Sequence, residues 1–139
     1  MDTTNPTSEY LLLFRGTGWD RSLSPAEVQS MLSGFLAWFE RLSAEGTLKK
    51  GQPLTDESRI VSGKNGRTVA DGPFAESKET IGGYFLITAD SFDHAVAIAQ
   101  ECPMLNFGTV VEVRAIAGNC PTLQRLQAEQ GEALEMTAV

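Results

Sequence analysis

Histidine occurs once in this chain, as His94, and cysteine twice, as Cys102 and Cys120. A single histidine leaves no set for Ser/His/Asp or Cys/His nucleophilic chemistry, and the two cysteines lack the paired spacing of a metal site. Without a secretion-type cysteine framework they read as reduced thiols with packing roles. Phosphate cradles and nucleophile elbows are missing too, because no Gly-x-x-x-x-Gly-Lys-Ser/Thr, Gly-x-Gly-x-x-Gly or Gly-x-Ser-x-Gly run occurs. No apolar run approaches the roughly 20 residues that a membrane-spanning helix needs. Basic residues are the minority: eleven Lys and Arg against eighteen Asp and Glu give a net charge of -7. That balance repels phosphate backbones and anionic lipid surfaces, so neither nucleic acid nor membrane is an expected partner. No cofactor is expected either.

What is present is enough for one domain, since 139 residues can bury a real core. Residues 1–9 are polar, with neither a basic start nor an apolar stretch, and read as a disordered segment and not a secretory signal, so the expected location is cytoplasmic. Residues 10–117 carry the strand and helix patterns of a domain, and residues 118–139 read as a polar helical extension.

Within the domain, residues 10–15 form a short apolar run closed by Gly16, Thr17 and Gly18, which suits a strand buried on both faces. Ser24, Pro25 and Glu27 then supply a helix cap, a proline at the first helical position and the acidic partner of a capping box. Val28, Met31, Leu32, Phe35, Leu36, Phe39 and Leu42 recur at steps of three and four as an apolar stripe, with Gly46 at the helix end. Trp38 falls toward the edge of that stripe, a position open to a partner surface. Residues 48–54 read as an edge or irregular strand because of Pro53. Residues 59–62 and 67–70, separated by Gly63, Lys64, Asn65 and Gly66, read as a hairpin, since Asn-Gly tolerates positive φ. Residues 81–88 read as a central strand. A second helix carries Phe92, Ala95, Val96, Ala99 and Cys102 as its stripe and stops before Pro103, and residues 109–116 form a last strand. Strand, helix, hairpin, strand, helix, strand is the order of an α+β ferredoxin-like sandwich with both helices on one sheet face.

The stretch from Asp71 to Tyr84, Asp-Gly-Pro-Phe-Ala-Glu-Ser-Lys-Glu-Thr-Ile-Gly-Gly-Tyr, concentrates turn formers and charges between two strands, where binding groups usually sit. Asp71 is the candidate proton acceptor, a carboxylate beside a rigid Gly-Pro turn, against the plainer role of capping that turn through backbone N–H groups. Phe74, Glu76, Lys78, Tyr84 and Arg114 are the candidate ligand contacts. For Phe74 the alternative is a plug in the core, and for Glu76 and Lys78 a solvated loop face. Glu112 and Arg114 share one face of their strand, so they pair there or line a cavity. His94 lies about 200° around its helix from Phe92 and therefore faces solvent. No residue set calls for a metal.

Asp71-Gly72-Pro73-Phe74, followed by Glu76, Lys78, Glu79 and Gly82-Gly83-Tyr84, then Cys102-Pro103 and Val111-Glu112-Val113-Arg114, resembles the YCII-related family and its DGPF subgroup over residues 10–116. The resemblance implies a homodimer in which two ferredoxin-like sheets face each other as a dimeric α/β barrel around a cavity. Such a protein would be a small accessory or ligand-binding protein taking a small polar or aromatic molecule. It also implies two alternatives. One is a metal-free lyase- or isomerase-like enzyme on small ring compounds, with Asp71 as base and Lys78 or Arg114 at an oxyanion. The other is a regulatory partner of an extracytoplasmic-function sigma factor of bacteria. Some relatives use a His with an Asp, whereas here Met104 follows Cys102-Pro103 and cannot move protons.

Overall fold

The computed structural model describes residues 8–16, 19–72, 80–118 and 120–130. Strand β1 (Ser8–Arg15) leads into helix α1 (Pro25–Ala44), which is followed by β2 (Leu48–Pro53), β3 (Arg59–Ser62) and β4 (Thr68–Asp71). Next come β5 (Ile81–Ala89), α2 (Phe92–Ala99), a 3-10 turn at Pro103–Phe107, β6 (Val110–Ala115) and α3 (Pro121–Gln130).

The start of α1 is fixed locally. Ser24 Oγ accepts from the Glu27 N–H at 3.2 Å, and the Glu27 carboxylate accepts from the Ser24 N–H at 2.8 Å, a closed capping box. A cap of this kind stabilises a helix by about 1 kcal/mol. Gly46 ends the helix with φ of 78°, a conformation that glycine adopts without steric cost.

Four strands form one antiparallel sheet in the order β2-β5-β1-β6, the ferredoxin-like order. β5 is internal as its apolar run indicates, and β2 lies at the edge, with Pro53 as its last residue. β1 begins two residues earlier than its apolar run, because Ser8 and Glu9 pair with Ala89 and Thr88. The hairpin forms with Asn65 and Gly66 both at positive φ (62° and 66°). It does not join the main sheet: β3 and β4 make a separate two-stranded ribbon in which every residue is exposed. An apolar pattern of four residues cannot tell a ribbon from a sheet strand, and only the surrounding packing decides it.

Helices cover one sheet face. Tyr10, Leu12 and Phe14 of β1 and Phe85, Ile87 and Ala89 of β5 are buried against Trp38 and Leu42 of α1 and Ala95, Ile98 and Ala99 of α2. Leu12 and Ile87 are wholly enclosed, and each such burial stabilises the fold by about 1.5–3 kcal/mol.

Trp38 corrects the sequence reading: it is core and not edge, 4% exposed and stacked on Phe85 at 5.3 Å. Leu32 and Leu36 stand at the surface instead, at 54% and 55% exposure. The reason is angular. Met31, Phe35, Trp38 and Leu42 fall within about 60° of one another around the helix, while Leu32 and Leu36 lie roughly 100° and 140° from Met31. In α2, Ile98 joins the core, while Phe92 stays half in solvent with its ring 5.9 Å from that of Tyr10.

The residues of the other sheet face are half-buried or exposed. Leu11 and Leu13 of β1 lie beside Leu86 and Tyr84 of β5, half-buried within one chain, and Val111 and Val113 pack on the helix side so that Glu112 and Arg114 take this face. No helix among the described residues is long and apolar enough to cross a membrane.

Candidate functional site

A cleft of about 330 Å³ opens between α1 and one end of the sheet. Its walls come from Phe14 of β1, Met31, Phe35 and Phe39 of α1 and Phe85 of β5, with Met104 and Thr109 from the segment between α2 and β6. The aromatic rings hold one another edge-on. Phe14 and Phe85 lie 5.0 Å apart at 85°, and Phe14 and Phe35 lie 6.3 Å apart at 77°.

Two glycines let strand β2 reach this end of the sheet. A Cβ on Gly51 would lie 2.6 Å from Cδ1 of Phe85, and one on Gly83 would lie 3.0 Å from the carbonyl oxygen of Gln52. Gly83 thus lets the neighbouring backbone of β2 approach closely, as a strand glycine can. On the far side the 3-10 turn crosses α1 at Gly34, where Pro103 Cβ would meet an added Cβ at 3.5 Å. Gly108, with φ of 101°, ends that turn and leads to Thr109, whose N–H donates to the Met104 carbonyl at 3.3 Å.

Among the described residues that line it, none is Asp, Glu, Lys, Arg or His. The polar ones are Gln52, which is exposed, Tyr84, which is half-buried, and Thr109, which is 4% exposed. Thr109 Oγ1 is buried without a hydrogen-bond partner among the described residues, as is Trp38 Nε1 in the core.

The sequence-predicted residues are not gathered in one place. Tyr84 borders the cleft. Asp71 ends the exposed ribbon with its side chain 89% accessible, 3.6 Å from Nη1 of Arg59. Arg114 belongs to the main sheet, where its Nη1 donates to Glu112 Oε2 at 3.1 Å. Glu112 Oε1 also accepts from Arg15 Nη1 at 3.4 Å, so one carboxylate bridges two strands on the open face. Phe74, Glu76 and Lys78 lie outside the described residues.

His94 is exposed, and its Nδ1 accepts the Asp90 N–H at 3.0 Å. Nδ1 is thus an acceptor, and its 3.7 Å approach to the Asp90 carboxylate is proximity, not a donated bond. Both cysteines are free. Burial pushes the Cys102 thiol up, partly offset by hydrogen bonds from the Met104 and Leu105 backbone. Cys120, at the start of α3, is pulled down by the backbone N–H groups of Leu123 and Thr122. No group of three or more His, Cys, Asp or Glu able to hold a metal occurs among the described residues.

Sequence reasoning missed Phe14, Met31 and Thr109 as cleft residues. Phe14 and Met31 look like ordinary core positions, and nothing in the composition around Thr109 marks it as buried.

The strand order and the helix-covered sheet define a small α+β protein of ferredoxin-like type with an apolar cleft at one end. The chain belongs to the YCII-related family, whose domain matches residues 10–125. It is 34% identical over 73 residues to an uncharacterized protein of Rhizobium meliloti (strain 1021), covering 52% of this chain and 59% of that one. The chain thus spans less than two thirds of that relative's length. A solved structure, 5-chloro-2-hydroxyhydroquinone dehydrochlorinase from Burkholderia phenoliruptrix AC1100 in complex with 2,5-dihydroxybenzoquinone, aligns at 20% identity over 74% of this chain and 90% of its own. Its TM-score is 0.36.

Proposed function

We propose that this YCII-related protein binds a small, largely apolar molecule in the cleft between α1 and the sheet end. The observation that carries the reading is the cleft itself: about 330 Å³, walled by Phe14, Phe35, Phe39 and Phe85. Ligand pockets characteristically fall in a range of about 300–1,000 Å³ with apolar and aromatic walls and few polar groups. This space lies within one chain and is distinct from the cavity that two facing sheets would enclose.

Binding is preferred to turnover because of where the two described charged candidates stand. Asp71 sits at the end of an exposed ribbon beside Arg59, and Arg114 belongs to another sheet and pairs with Glu112. Proton transfer needs a base held within hydrogen-bond reach of the reacting atom, and neither residue borders the cleft.

Titrating the protein with two-ring aromatic compounds while recording backbone amide spectra tests the proposal. Shift changes concentrated at Phe39, Phe85 and Met104, with Kd values below about 1 mM, are expected. Changes absent from those positions across such a series would refute it.

The open sheet face is assigned to a second copy of the chain. Leu11, Leu13 and Leu86 lie at its middle, with Arg15, Glu112 and Arg114 toward β6, a pattern of apolar centre and polar rim that suits a symmetric contact.

A further inference from the structure

We propose that the Thr109 hydroxyl selects the ligand of the cleft, and that this ligand is a neutral molecule of about two fused rings carrying one hydroxyl or carbonyl group. The proposal rests on the cleft being a binding site and adds what it prefers.

Three observations carry it. The first is an unsatisfied polar atom in an apolar setting: Thr109 is 4% exposed, borders the cleft, and its Oγ1 lacks a partner among the described residues. Buried hydroxyls are nearly always hydrogen-bonded, because leaving one unpaired forfeits its contacts with water. Valine has the same shape and would fill the position with no polar group to satisfy.

The second is charge. With no Asp, Glu, Lys, Arg or His among the described lining residues, these walls offer an ionised ligand no partner, which favours a neutral one.

The third is size and give. A cavity of about 150 Å³ with apolar walls holds benzene, and this cleft has about 330 Å³. Two fused rings therefore suit it, with Phe14, Phe35 and Phe85 placed for edge and face contacts. Met31 and Met104, unbranched and flexible, are the wall residues best able to adjust around a ligand beside Thr109.

The chemistry is a simple contact with no bond made or broken. A ligand hydroxyl donates to Thr109 Oγ1 or accepts from it, whereas a carbonyl can only accept.

Binding of 2-naphthol and of naphthalene to the full chain, measured by amide-shift titration, tests the idea. Wild type is expected to bind 2-naphthol about tenfold more tightly. In Thr109→Val that ratio should fall to near one, and Thr109→Ser, which keeps the hydroxyl, should retain it. Equal affinity of wild type for both compounds, or an undiminished ratio in Thr109→Val, would overturn the role of Thr109 and leave the cleft as a binding site. Binding of neither compound would overturn both. Should Thr109→Val not fold, a nuclear Overhauser contact between bound 2-naphthol and the Thr109 methyl in wild type decides: its presence supports the proposal and its absence overturns it.

Discussion

Gly72 and Ser58 close the base of the β3–β4 ribbon. The Gly72 N–H donates to the Ser58 carbonyl at 3.2 Å, and a Cβ on Gly72 would lie 2.7 Å from Cβ of Ser58 and nearer still to its hydroxyl. The glycine of the Asp71-Gly72-Pro73-Phe74 run is therefore required by packing: at this point two chain segments come closer than any side chain permits.

Gly72→Ala should loosen this base by about 1–3 kcal/mol, the usual cost of overpacking. The ribbon is separate from the main sheet, so the loss should appear as faster amide exchange at residues 59–62 and 68–71 more than as a lower global melting point. Adding Ser58→Gly should recover part of the protection. Unchanged exchange in Gly72→Ala would show that the contact relaxes without cost.

Trp38 and Leu36 provide a contrast within one helix. Trp38→Ala removes a buried ring stacked on Phe85 and should cost about 3–5 kcal/mol in urea denaturation. Leu36→Gln, at a position 55% exposed, should cost less than about 1 kcal/mol. Comparable losses would contradict the packing of α1 described above.

The two thiols should part company in alkylation. Backbone N–H groups at the start of α3 lower the Cys120 thiol, so near neutral pH a larger fraction is thiolate than in an ordinary cysteine, and its labelling should rise at lower pH. Burial raises Cys102, so its labelling should stay slow in the native protein until well above the pH at which Cys120 reacts, and should accelerate on unfolding. Iodoacetamide treatment followed by peptide mass mapping checks the order, and equal native-state rates would exclude it.

Leu86 tests the open sheet face. Wild type is expected to be a dimer in multi-angle light scattering at micromolar concentration. Leu86→Glu should be a monomer with an unchanged far-ultraviolet spectrum, because the new carboxylate sits opposite Lys50 within one chain but would be buried between two. A monomeric wild type, or a dimer that survives the substitution, would reject this interface.

Local chemistry in the sequence determined a good deal. The capping box of Ser24 and Glu27 and the positive φ at Gly46, Asn65 and Gly66 each depend on a few neighbouring residues, so they were legible without the fold; α2 instead ends at Ala99, short of the expected stop before Pro103, and leaves Cys102 outside the helix. The order of strands and helices followed, and with it the ferredoxin-like sheet. The solvent side of His94 also came out correctly, since helical geometry alone places it.

Tertiary structure decided the rest. Which arc of α1 meets the sheet put Trp38 inside and Leu32 outside, although both lie near the same apolar stripe. The ribbon left the main sheet, placing Asp71 and Arg114 in different sheets, two residues that loop position, strand alternation and the family resemblance had set as candidates for one site. The cleft draws on β1, α1, β2, β5 and the segment before β6, and Thr109 became notable only when those elements closed over its hydroxyl. Periodicity reports contacts within a few residues along the chain; a cavity is set by side chains far apart in sequence, and its position follows from how the layers pack.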